Sequence, residues 1–327
     1  YMKQYIVALM LACSIQGHSQ DVKQATFVPP FDFTLTLSGN FGEIRANHFH
    51  GGLDFKTQGV IGKPVRALAD GYISRRVEKL QYEKEDWEVE IVPEPGEYPV
   101  KAGQQIAWSG NTGYSFGPHL HLDVMETATG ESIDPMPFFK SKIKDNTAPR
   151  AEGIMLFPQP GSGVVGGSPE RQSFPINTVR PIEAWGVIGS GIKAYDYMDG
   201  VHNRYGVHTV VLRVDGTEVF RSVVDRFSPD ENRMINSWTC GQYMKSFIDP
   251  GNTLRMLRAS NDNRGLVTID EERDYKFEYE LKDAFGNTSR YRFMVRGKRQ
   301  PIQPLGHREK YFFAWIDPYR SPGNVIR

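Results

Sequence analysis

Gly117-Pro118-His119-Leu120-His121-Leu122-Asp123-Val124 sets polar against apolar residues one by one behind a Gly-Pro punctuation. A period of two is the pattern of a β-strand with one face on a core and the other on solvent or a cleft. The same reading applies to Phe33-Thr34-Leu35-Thr36-Leu37, Gly71-Tyr72-Ile73-Ser74 and Trp87-Glu88-Val89-Glu90-Ile91-Val92, each bounded by Gly, Pro, Asn or Asp. Helical periodicity is hard to find, so the chain is expected to be all-β.

The second half continues the pattern. Asn146-Thr147-Ala148-Pro149 follows a Lys-rich stretch and marks a domain boundary near residue 147, and the Gly-, Pro- and Ser-rich run 158–168 has the composition of a loop. Beyond it, Val210 to Val214 and Thr217 to Phe220 flank Asp215-Gly216, the signature of a hairpin with a tight turn. Tyr275 to Leu281 and Arg290 to Val295 flank Asp283-Ala284-Phe285-Gly286-Asn287 in the same way. Short strands at this spacing predict an immunoglobulin-like β-sandwich over 148–297, followed by a tail over 298–327. Trp185, Tyr195 and Tyr197 are candidates for glycan contact or, more simply, for core packing.

Lys plus Arg and Asp plus Glu both number 39, so no field of one sign is available for nucleic acid. Met2-Lys3, the apolar run Tyr5 to Ile15 and the small residues Gly17 and Ser19 have the layout of an export signal over 1–19. That run is too short to stay in a bilayer as a spanning helix, and no later stretch is long enough, so no transmembrane segment is expected in the mature chain. Leu11-Ala12-Cys13 partly matches a lipoprotein anchor site. With the signal removed, Cys240 is the one cysteine left, which excludes an intramolecular disulfide and a thiolate metal site. The destination expected is the periplasm or cell envelope.

Of eight histidines, four fall in two tight groups: His48-Phe49-His50-Gly51-Gly52-Leu53-Asp54 and His119-Leu120-His121. A catalytic zinc takes about three protein ligands and keeps a fourth position for water. His50, Asp54 and His121 would supply two imidazoles and a carboxylate, a set that suits zinc. Four residues of extended strand span about 13 Å, too far for one ion, so Gly51-Gly52 are expected to bend the chain through positive φ. Two residues along a strand share a face about 7 Å apart, which lets His121 bind metal while His119 faces the same cleft as a base. His48 is expected at the surface or behind the ligands, and His202, His208 and His307 are read as structural.

Taken together, His50-Gly51-Gly52-Leu53-Asp54-Phe55, Gly62-Lys63-Pro64-Val65-Arg66-Ala67, Asp70-Gly71, Val100-Lys101-Ala102-Gly103-Gln104, Gly110-Asn111-Thr112-Gly113 and Gly117-Pro118-His119-Leu120-His121 resemble, in order, the core of the lysostaphin/LytM-type zinc peptidases. The likeness covers roughly 41–139 and places a peptidase domain over 20–147. The lead-in Asn47-His48-Phe49-His50 and the β-rich second half resemble the larger Bacteroidetes-type members. The resemblance implies a small antiparallel β-domain with a groove. It also implies Zn2+ on His50, Asp54 and His121, a catalytic role for His119, and peptidoglycan stems or cross-links as substrate. The sandwich would then position the peptidase at the wall.

One departure stands out. Members of the family carry a hairpin with a Tyr-x-His-Leu motif between the strand at Gly71 and the one at Val100. Here that stretch is short, near 75–81, and no histidine occurs between His50 and His119. Three accounts remain open: a catalytically degenerate peptidoglycan-binding or amidase-activating module, replacement of the missing group by His48, or an incompletely recorded gene.

Overall fold

The computed structural model describes residues 7–8, 27–82, 85–111 and 115–304. Most of the expected export signal and most of the tail lie outside these residues, as does His307. The all-β class holds: among the described residues the α-helices are single turns, Met136–Phe139 and Ile235–Trp238. No helix there is long and apolar enough to cross a membrane.

The chain divides into two compact units, the first comprising residues 1–41, 50–145 and 199–203, the second 42–49, 146–198 and 204–327. The first is built on the strand that opened the sequence reading. His119–Met125 pairs antiparallel with Gly52–Lys56 on one side and Ser132–Ile133 on the other, and Leu37–Gly39 lies outside Gly52–Lys56. Alternation sends Leu53 and Phe55 to the buried face, where the Phe55 ring meets Phe139 edge-on at 5.3 Å. Phe27, Phe31, Leu35, Leu37, Val65 and Leu68 complete that core. Burying side chains of this size contributes about 1.5–3 kcal/mol each, which explains why a sheet this small holds.

Two of the motifs carried by the resemblance meet each other. Gly71–Tyr72 pairs with Pro99–Val100, Asp70 accepts the Ala102 backbone N–H at 2.9 Å, and Lys101 Nζ lies 2.8 Å from its other oxygen. Where the chain is short relative to the family, a hairpin still forms: Arg76–Tyr82 pairs in full register with Glu85–Ile91. The stretch therefore still supplies a strand pair, in a sheet of its own with Val7–Ala8, and no histidine occurs in it. Phe33 to Leu37 was expected as a strand, and regular pairing begins only at Leu37.

The second unit is a β-sandwich. The strand order runs Gln172–Pro175, Arg150–Val165, Ile182–Tyr195, Thr288–Gly297, Asp274–Lys282, Thr209–Val214, Thr217–Val223, Leu257–Ala259. Both hairpins read from the sequence form. Asp215 and Gly216 have φ of 50° and 85°, the pair of positive values that a two-residue turn needs. At the other turn Asp283 Oδ1 accepts the N–H groups of Phe285, Gly286 and Asn287. Residues 158–168 differ from expectation: they are mostly strand, the end of Arg150–Val165, with a register shift between Pro158 and Gly163. Gly163 allows the strand to run against the Val187 carbonyl, which a Cβ would meet at 2.2 Å. Composition pointed to a loop because glycine and proline also serve bulges.

Trp185, Tyr195 and Tyr197 are half-buried, and the guanidinium groups of Arg299, Arg204 and Arg150 stand over their respective rings at 4.8–5.4 Å. They are neither central core nor bare platforms. Cys240 is a half-buried free thiol.

Candidate metal centre

The register of two strands builds the site. His121 stands directly opposite Asp54, with His119 opposite Lys56 and Asp123 opposite Gly52. Directly opposed residues place their Cβ atoms about 4.5–5.5 Å apart on one face. His50 lies ahead of the strand that begins at Gly52, so extended spacing does not constrain it. Its ring reaches Asp54: His50 Nε2 is 3.0 Å from Asp54 Oδ1, His121 Nδ1 is 2.8 Å from the same oxygen, and the two ring nitrogens are 3.0 Å apart.

This triangle fits a metal ion. Around a tetrahedral zinc with bonds near 2.0–2.1 Å, donor atoms stand about 3.3–3.4 Å apart. The three edges need to open by about 0.3–0.6 Å to admit one. The donors, two imidazoles and a carboxylate, are those zinc accepts. His119 Nε2 looks into the same place from 3.8 Å.

Each ring is also oriented from behind. His50 Nδ1 lies 2.6 Å from the Asn40 carbonyl oxygen and His119 Nδ1 2.8 Å from that of Gly117, so both Nδ1 atoms donate and both Nε2 atoms are left as lone-pair donors. Ser115 Oγ adds a contact to His119 Nδ1 at 3.2 Å. Such backing groups fix tautomer and aim in metal sites.

The expected role of the glycines is corrected. Neither Gly51 nor Gly52 has positive φ. What they provide is room: a Cβ on Gly52 would lie 2.1 Å from the Leu122 carbonyl oxygen and 2.3 Å from Asp123 Oδ1, and one on Gly51 would lie 3.2 Å from that same oxygen.

Lysostaphin of Staphylococcus simulans is 37% identical over 109 residues, covering 28% of this chain and 22% of the relative, and lysostaphin of Staphylococcus staphylolyticus matches with the same figures. The lysostaphin/LytM resemblance holds. A glycyl-glycine endopeptidase, ALE-1 of Staphylococcus capitis, is 38% identical over 120 residues, covering 29% of this chain and 30% of the relative. The chain thus spans less than a third of the length of each of these relatives of lysostaphin type. No family model matches the chain, and no solved structure matches it.

Electrostatics follow from the packing. Burial disfavours charge on Asp54, yet His121 and His50 outweigh it and hold the carboxyl well below the usual range. Burial likewise opposes charge on His121, but Asp123 and Asp54 on either side push its pKa up to about 10. Without an ion the cluster is therefore an imidazolium between two carboxylates. The His121 side chain keeps 44% of its surface open, the approach by which an ion or substrate would enter.

His48 does not join these groups; its Nδ1 contacts Asn47 Oδ1 at 2.8 Å, and residues 42–49 pack with the second unit, where Phe49 sits against Phe227 and Trp238. His208 bonds Thr209 Oγ1. Asp123 is the neighbour of His121 that sequence reasoning passed over. Its signal was present, since a third polar residue continues the alternation His119, His121, Asp123 on one face.

Proposed function

We propose that this chain is an exported zinc metalloendopeptidase that hydrolyses peptide cross-links of bacterial peptidoglycan. The observation carrying it is the convergence of His50 Nε2, Asp54 Oδ1 and His121 Nδ1 within 3.0 Å of one another, with His119 Nε2 alongside. The lysostaphin-type relatives, one named for glycyl-glycine cleavage, supply the substrate class.

His50, Asp54 and His121 would hold the ion. Bound there, zinc lowers the pKa of a coordinated water and polarises a carbonyl. His119 holds its Nδ1 proton on the Gly117 carbonyl, so Nε2 is the atom that accepts a proton from the attacking water. The same Nε2 then returns that proton to the departing amine. Asp54, kept ionised by its neighbours, retains its charge through both steps. An exported protein in the cell envelope meets peptidoglycan directly, which suits the signal-like start of the sequence.

The absence of any histidine between His50 and His119 favours a second reading, a catalytically degenerate wall-binding or amidase-activating module. Chromatography of muropeptides after incubation of zinc-loaded protein with purified peptidoglycan separates the two. New cleavage products from the wild type and none from His121→Ala support the peptidase. Folded, zinc-loaded protein that yields no products leaves the binding module.

A further inference from the structure

Behind His121 lies a carboxylate, whereas behind His50 and His119 lie backbone carbonyls. His121 Nε2 is 2.9 Å from Asp123 Oδ1 while its Nδ1 faces Asp54. That Asp123 oxygen is shut off from solvent, and His121 Nε2 meets it as an ion-pair contact. Space for it is reserved on the partner strand, because side chains at Gly52 and Gly51 would press on it at 2.3 and 3.2 Å.

We propose that Asp123 is the positioning residue of the metal centre: its carboxylate accepts the Nε2–H of His121 and so commits Nδ1 as the ligand atom. This rests on the zinc reading above. Two further consequences follow from charge and register. A carboxylate raises the basicity of the imidazole it accepts from, more than a neutral carbonyl does. Asp54 and Asp123 together also bring two negative charges to the site, matching a divalent cation. The two glycines and Asp123 form one device spanning both sequence motifs: a larger residue opposite Asp123 would push the carboxylate off Nε2.

The test is zinc affinity of the full chain, measured by competition with a chromophoric chelator, for wild type, Asp123→Ala, Asp123→Asn and His121→Ala. Thermal unfolding of each metal-free protein checks that it is folded. Loss of an outer partner of this kind costs about 10–100-fold in affinity. That is expected for Asp123→Ala, with a smaller loss for Asp123→Asn, whose amide oxygen still accepts. Nitrogen-15 spectra of the zinc-loaded wild type should show His121 bound through Nδ1 with the proton on Nε2, and Asp123→Ala should broaden or mix the two modes. Unchanged affinity and unchanged spectra in both Asp123 variants overturn the positioning role while leaving the metal site standing. A folded wild type that takes up no zinc overturns the metal site and this role together.

Discussion

Asp123 stands directly across the strand pair from Gly52, and its Oδ1 would lie 2.3 Å from any Cβ placed there. The adjacent Leu122 carbonyl oxygen would be closer still, at 2.1 Å, and backbone cannot swing aside as a side chain does. Gly52→Ala should therefore destabilise the first unit by about 1–3 kcal/mol, the range for overpacking, and weaken zinc binding. Gly51→Ala meets only the Asp123 carboxylate, at 3.2 Å, and should cost well under that. Denaturant unfolding of the two variants side by side checks the order; equal losses would count against the close-approach account of Gly52.

Ligand and base should separate by mutation. His50→Ala, Asp54→Ala and His121→Ala each remove one corner of the donor triangle and should abolish stoichiometric zinc binding at micromolar metal. His119→Ala should leave zinc bound, because its Nε2 stands 3.8 Å from Asp54 Oδ1, outside the triangle. Hydrolysis of peptidoglycan by that variant should fall by about 10²–10⁴-fold, the usual contribution of a positioned acid–base group. Elemental analysis of each variant, paired with muropeptide release, reads both effects.

Proton linkage gives a pH signature. His121 is raised from 6.5 to about 10, so in chelated protein its ion pairs stabilise fully below about 6.5 and that stabilisation is lost as pH climbs through 10. Asp54 is lowered, so its contribution is present above 3.8 and disappears as pH falls further. Metal must displace the His121 proton, so affinity for zinc should rise with pH over the same window in which chelated protein loses stability. Calorimetry in buffers of different ionisation enthalpy should show about one proton released per zinc near neutrality. No release would mean that His121 is already neutral there.

In the sandwich, Tyr279 is fully buried and its hydroxyl contacts Ser190 Oγ at 2.8 Å and Ser246 Oγ at 3.0 Å. Burial pushes its pKa well above the ordinary tyrosine value, so it acts as a neutral hydrogen-bonding group throughout. Tyr279→Phe leaves both serine hydroxyls short of a partner and should cost about 1–3 kcal/mol. Zinc affinity of the same variant should be unchanged, measured alongside its unfolding midpoint.

By itself the sequence determined the all-β class, both tight hairpins and the candidates His50, Asp54, His119 and His121. These features are written locally: alternation of polar and apolar residues fixes which face each side chain takes, and Asp-Gly needs no distant partner to turn. Only the tertiary structure decided why Gly51 and Gly52 are glycines, that residues 158–165 run as strand, and that Asp123 backs His121. Those depend on which strand lies opposite and in what register, and a one-residue slip between Gly52–Lys56 and His119–Met125 would part His121 from Asp54. Pairing between strands so far apart in the chain is set by packing of the whole sheet, and no window of sequence around either motif contains it.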